Sequence, residues 1–81
     1  MLPAGYLFGV IILKLETDNH FYQALRADAP VIVFIIDPIG EKHLDGYGSL
    51  IEVTKDSITI LDHRIGVVNY LRENIEVYWV C

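Results

Sequence analysis

The side chains able to do chemistry are few and widely spread. His20, His43 and His63 are separated by 23 and 20 residues, far from the spacing of about two to five residues that gathers ligands around one metal ion. One cysteine, Cys81, leaves no intramolecular disulfide and no cysteine-rich zinc site. No Gly-x-Ser-x-Gly, no phosphate-cradling Gly-x-x-x-x-Gly-Lys and no spaced carboxylate pair occurs. Asp62, His63 and Arg64 could orient a general base, but their neighbours make them a turn, and they read as solvated turn residues. No catalytic residue, metal or cofactor is therefore expected. Recognition fits the residue types better. Tyr47, Tyr70, Tyr78 and Trp79 stand beside predicted loops and strand ends, in the same half of the chain as Lys42, His43, Lys55, Arg64 and Arg72. Aromatic rings next to cations can stack a base and hold its phosphate. The competing reading places Tyr70, Tyr78 and Trp79 in a core or an interface.

Composition limits the ligand. Six Lys and Arg against eleven Asp and Glu give a net charge of −5, which opposes a broad grip on long nucleic acid, since each phosphate neutralised needs a cation. A short RNA end or a nucleotide needs only a local basic patch. Hydrophobic residues make up 53% of the 81 and mean hydropathy is +0.39, so disorder is excluded. Leu2 to Leu13 carries no charge but is twelve residues long, short of the roughly 20 needed to span a membrane. Nothing basic precedes it as a signal peptide would require. The expectation is one domain over residues 1–81, in a reducing, cytoplasmic compartment, without a membrane partner.

These side chains must be positioned by short strands. Tyr6 to Leu15 reads as a strand covered on both faces. Thr17, Asp18 and Asn19 are helix-capping and turn residues. After them Phe21, Ala24 and Leu25 fall at i, i+3 and i+4, giving a short amphipathic helix over 20–27, with a returning strand as the alternative. Pro30 blocks helix continuation, and Val31 to Ile36 holds five β-branched residues in six, the strongest strand, again expected to be covered on both faces. Asp37 to Gly40 is a turn and Glu41 to Gly48 a loop or irregular edge. Leu50 to Val53 and Ile58 to Leu61 form a hairpin, and Val67 to Leu71 and Ile75 to Val80 are two more strands around Arg72, Glu73 and Asn74. The fold class is mainly β: a small SH3-like barrel of five to six antiparallel strands, consecutive ones adjacent, with one short helix.

Phe21-Tyr22-Gln23-Ala24-Leu25-Arg26, followed by Pro30-Val31-Ile32-Val33, is similar to the start of the bacterial Hfq proteins, and Leu71-Arg72-Glu73-Asn74-Ile75 resembles the second signature of the Sm-like family. Glu73 stands where that signature has glycine. The resemblance covers about residues 19 to 80. It implies a homo-oligomeric ring in which the fourth strand of one subunit meets the fifth of the next, with RNA bases bound at the pore.

The expected function is thus a non-catalytic, oligomeric Sm-like protein that binds RNA or a small nucleotide at subunit interfaces, using Arg72, Asn74, Tyr70, Lys42, His43 and Tyr47. Arg72 is the residue expected to address a base or to pair with Glu73 or Glu76 of a neighbour. The alternative is an acidic adaptor or inhibitor that docks on a basic surface of a protein partner.

Overall fold

The computed structural model describes residues 12–80. The greater part of the strand expected over Tyr6 to Leu15 lies outside the described residues, as does Cys81. Within them a three-residue strand β1 (Ile12–Lys14) leads into helix α1 (Asp18–Arg26).

Helix, not returning strand, is the outcome for this segment, and its capping explains why. Thr17 Oγ1 accepts from the His20 backbone N–H at 3.2 Å, while His20 Nδ1 accepts from the backbone N–H groups of Glu16 and Thr17 at 3.1 and 3.4 Å. Three donors at the helix start are satisfied by two side chains. Phe21 and Ala24 are buried on the inner face. The helix closes through Asp28 at φ 51 and an Ala29 N–H to Ala24 carbonyl bond of 3.0 Å, just ahead of Pro30.

Strands β2 (Pro30–Ile36), β3 (Lys42–Val53), β4 (Ser57–Asp62) and β5 (Gly66–Leu71) follow as an antiparallel meander, and a 3-10 turn (Arg72–Asn74) carries the chain across to β6 (Ile75–Val80). The sheet order is β1-β6-β2-β3-β4-β5. Among the described residues the mainly β class, with six antiparallel strands and one short helix, is thus as expected, with two differences of topology. The last two strands do not pair with each other, because β6 inserts between β1 and β2. Among the described residues the backbone ladder does not close into a barrel either: β1 and β5 are the two ends of the sheet.

Register shows which side chains share a face. Val31, Val33 and Val77 lie inward with Ile58 and Ile60, all at or below 1% exposure. Phe21 and Ala24 of α1, Leu15, Leu50, Val53 and Tyr70 belong to the same core, with the partly buried Trp79 packed against it. Burying each of these aliphatic side chains contributes roughly 2 kcal/mol. Across β2, the opposite face carries Ile32 paired with Tyr47 and Tyr78, and Phe34 paired with Leu44 and Glu76. Ile32 and Phe34 are only half-buried, so β2 is covered on one face, not on both. Its unbroken apolar run reflects a central strand whose second face is partly open.

The stretch Glu41 to Gly48, expected as a loop or an irregular edge, is from Lys42 onward the first half of β3, a strand paired inside the sheet. Its polar and glycine content suits a strand that must bend and be approached closely. A Cβ on Gly48 would run into the Leu61 carbonyl, and one on Gly46 would stand 2.6 Å from the Tyr70 hydroxyl. Register slips in β3 opposite Val33/Phe34 and between Leu50 and Glu52 mark the same bend.

Candidate functional site

Arg72 leaves the end of β5 and crosses the seam that the backbone leaves open. Its guanidinium donates to the carbonyls of Thr54 and Lys55 at 2.9 and 3.1 Å, pairs with Asp18 at 2.8 Å, and lies 4.3 Å from the centre of the Phe21 ring. One side chain thereby ties the β3–β4 turn, the start of α1 and the end of β5 together. Only 15% of it is exposed. Within the chain its carboxylate partner is Asp18.

Beside it runs a cleft of about 430 Å3, walled by Lys14, Glu16, Phe21, Lys55 and Glu76. Lys14, Lys55 and Arg72 are three of the chain's six Lys and Arg residues. Lys14 approaches Glu76 to 3.6 Å. A smaller hollow of about 210 Å3 on the other side of Arg72 is bordered by Lys55, Asp56 and Glu73. Asn74 ends the 3-10 turn, exposed, between Glu73, which borders the hollow, and Ile75, which lines the cleft, and itself lines neither.

Lys42 and Tyr47 lie on the outer sheet face. Lys42 Nζ meets Glu76 at 2.9 Å, Tyr78 donates its hydroxyl to the same carboxylate at 2.7 Å, and Phe34 meets Tyr78 edge to face at 5.6 Å. The Tyr78 bond and the Lys42 ammonium hold the Glu76 carboxyl below its ordinary pKa, and Glu76 pushes Lys42 up. Tyr47 stacks at a tilt on His63, 5.2 Å between rings.

Tyr70 sits on the inner face, 8% exposed, with its hydroxyl donating to Asp45 at 2.7 Å. Burial and the Asp45 carboxylate push its pKa up. Next to it lies a buried acid that the sequence reading missed. Asp62 is 2% exposed rather than solvated. It accepts from the Tyr47 and Arg64 backbone N–H groups at 3.1 and 2.8 Å and from the Arg64 guanidinium at 3.1 and 3.2 Å. These bonds, the Arg64 ones foremost, hold it well below the usual carboxylate range. Arg64 also donates to the Asp45 carbonyl. The β4–β5 turn is therefore locked onto the β3 bend.

His43 belongs to a fourth place. Its Nε2 lies 2.8 Å from Asp37 Oδ2, while Asp37 Oδ1 accepts from Ile39 N–H and Glu41 N–H at 3.1 and 2.8 Å. Asp37, Glu41 and His43 have ligand atoms within 4.8 Å of one another, but these contacts are those of an Asx-type turn holding the β2–β3 hairpin.

The six expected ligand residues thus fall into four neighbourhoods. Arg72 and Asn74 share the seam, Lys42 and Tyr47 the outer sheet face, His43 the hairpin turn and Tyr70 the interior. The seam cleft also gathers Lys14 and Lys55, which sequence spacing gave no reason to combine with Arg72. No protein-family model matches the chain, and neither curated proteins nor solved structures give a match.

Proposed function

We propose that this chain is a non-catalytic, Sm-like binding module that self-assembles through its sheet edges and takes a short RNA segment or a nucleotide at the seam beside Arg72. One observation carries the reading: in a chain of net charge −5, half of the Lys and Arg side chains line a single cleft. Lys55 makes no ion pair within 4.0 Å among the described residues and is the cation free to meet a phosphate. Arg72 holds the wall of the cleft, and Asn74 offers an amide for a base edge. A helix followed by five strands agrees with the architecture the family resemblance implies. The small number of cations restricts the ligand to a few nucleotides.

Fluorescence anisotropy with a labelled hexa-uridylate and with a labelled adenine nucleotide, at low and moderate salt, tests this. Saturable binding that weakens at least tenfold in Lys55→Ala, with an unchanged far-UV spectrum, is the expected result. Absence of binding to both probes at low salt, or an unaffected Lys55→Ala, overturns it. Salt-sensitive capture of a basic protein that Glu52→Lys abolishes would put the acidic-adaptor reading in its place.

A further inference from the structure

The two ends of the sheet are not equivalent. The outer edge of β6 is occupied by the chain's own β1, which pairs Ile12, Leu13 and Lys14 with Val80, Trp79 and Tyr78, and Leu15 N–H adds a bond of 2.8 Å to the Val77 carbonyl. The ring implied by the family resemblance would place a neighbour's strand on that edge. At the other end β5 pairs only with β4, and among the described residues nothing covers its outer edge.

Strand β5, Gly66-Val67-Val68-Asn69-Tyr70-Leu71, contains no charged residue and no proline, the usual protections of a sheet edge. Val67 is 67% exposed, Leu71 53% and Leu61, which pairs with Val67, 47%. Two copies of a chain with net charge −5 repel each other overall, and an uncharged strand is an edge along which no like charges are set directly opposite.

We infer that the open β5 edge takes the β5 edge of a second copy, antiparallel about a two-fold axis through Asn69. This rests on the reading that the chain self-assembles through its sheet edges. Pleating fixes the register, because residues opposite each other in an antiparallel pair point to the same face, so the axis must pass through a residue and not between two. Val67, Asn69 and Leu71 share the exposed face. An axis through Asn69 sets Val67 against Leu71 of the second copy, and Leu71 against its Val67. With Leu61 of each copy they form two apolar rows of three side chains, one on each side of a central Asn69 pair. An axis through Val68 would set each Val67 against an asparagine. Such a contact is isologous and closes at two copies. It also brings the Arg72–Asn74 turn of each copy to the Asp62–Gly66 turn of the other, so that His63 and Arg64 of the second copy join the seam and the site becomes a subunit-interface site.

Cysteine cross-linking in a Cys81→Ser background tests the register. With the axis at residue 69, the two Cα atoms of Asn69→Cys lie about 5 Å apart, within disulfide reach, whereas those of Val67→Cys lie about 14 Å apart. Mild oxidation should give a covalent dimer of twice 9.2 kDa with Asn69→Cys, none with Val67→Cys alone, and one with the Val67→Cys/Leu71→Cys pair. Light scattering of the unmodified chain should report a dimer, and Val67→Lys a folded monomer. A monomer at micromolar concentration, a higher ring, or equal cross-linking of the two single variants overturns the inference. Of these outcomes a ring leaves strand-edge assembly standing, and loss of probe binding by an intact dimer removes the ligand reading alone.

Discussion

The Arg72 guanidinium lies 4.3 Å above the Phe21 ring while donating to the Thr54 and Lys55 carbonyls. The planar, delocalised cation meets the ring while its N–H groups are spent on backbone carbonyls, a combination lysine reproduces poorly. Arg72→Ala should lower unfolding free energy in urea by about 3.5 kcal/mol, the low end of the sum for two charge-assisted bonds and one cation–π contact. Arg72→Lys should recover less than half of it. A stability loss under about 0.5 kcal/mol for Arg72→Ala, the range of ordinary surface substitutions, would show that the seam is held by other contacts.

Acid should unfold the protein through its paired carboxylates. Asp62, Asp37 and Glu76 all have folded-state pKa values below the ordinary ones, held there chiefly by Arg64, His43 and Tyr78 respectively. A depressed carboxylate contributes stability that is present above its unfolded pKa and disappears as pH falls through its folded one. The urea midpoint should therefore fall progressively from about pH 5 downward. Asp62→Asn should start lower at neutral pH and fall less steeply, because its Arg64 partner is already without a charge to meet.

Alkali acts through different groups. Tyr70 and Lys42 both have raised pKa values, by burial beside Asp45 and by the Glu76 carboxylate respectively. Raised groups stabilise below their unfolded pKa, and that contribution is lost as pH climbs through the folded value. Stability should decline above about pH 10, and Tyr70→Phe should make the decline shallower. The phenolate absorbance of Tyr70 should appear only together with unfolding.

Two glycines should respond very differently to alanine. Gly40 has φ +90 and open space around it, so Gly40→Ala should cost only the backbone strain, about 1 kcal/mol. At Gly48 the added methyl meets the Leu61 backbone carbonyl. The β3–β4 pairing must part to admit it, and Gly48→Ala should cost at least 3 kcal/mol or prevent folding. Thermal melts of the two variants give the comparison directly.

The strands Val31 to Ile36, Ile58 to Leu61 and Ile75 to Val80 were legible because β-branched and aromatic residues concentrate there between turn residues. The capping residues around Thr17 and the i, i+3, i+4 spacing from Phe21 indicated α1. The first half of β3 was not legible, since its lysine, histidine, aspartate and glycines resemble a loop until Gly46 and Gly48 are seen to admit Tyr70 and Leu61. Pairing of β6 with β1 and β2 joins residues far apart in sequence, which local pattern does not encode. Arg72 and Asn74 drew attention as a pair, but Lys14 and Lys55 reach the same cleft only through the curl of the sheet. The burial of Asp62 was hidden for a similar reason: its partners Tyr47 and Arg64 lie on two different elements.

The insertion of β6 between β1 and β2 also sets an order of events in synthesis. The helix and the β2–β5 meander consist of neighbours in sequence and can form as the chain leaves the ribosome. Leu13 and Lys14 have no sheet partner until Trp79 and Tyr78 exist. A nascent chain halted before residue 75 therefore leaves β1 and one edge of β2 both unpaired, so the final strand is the step that removes two exposed edges at once.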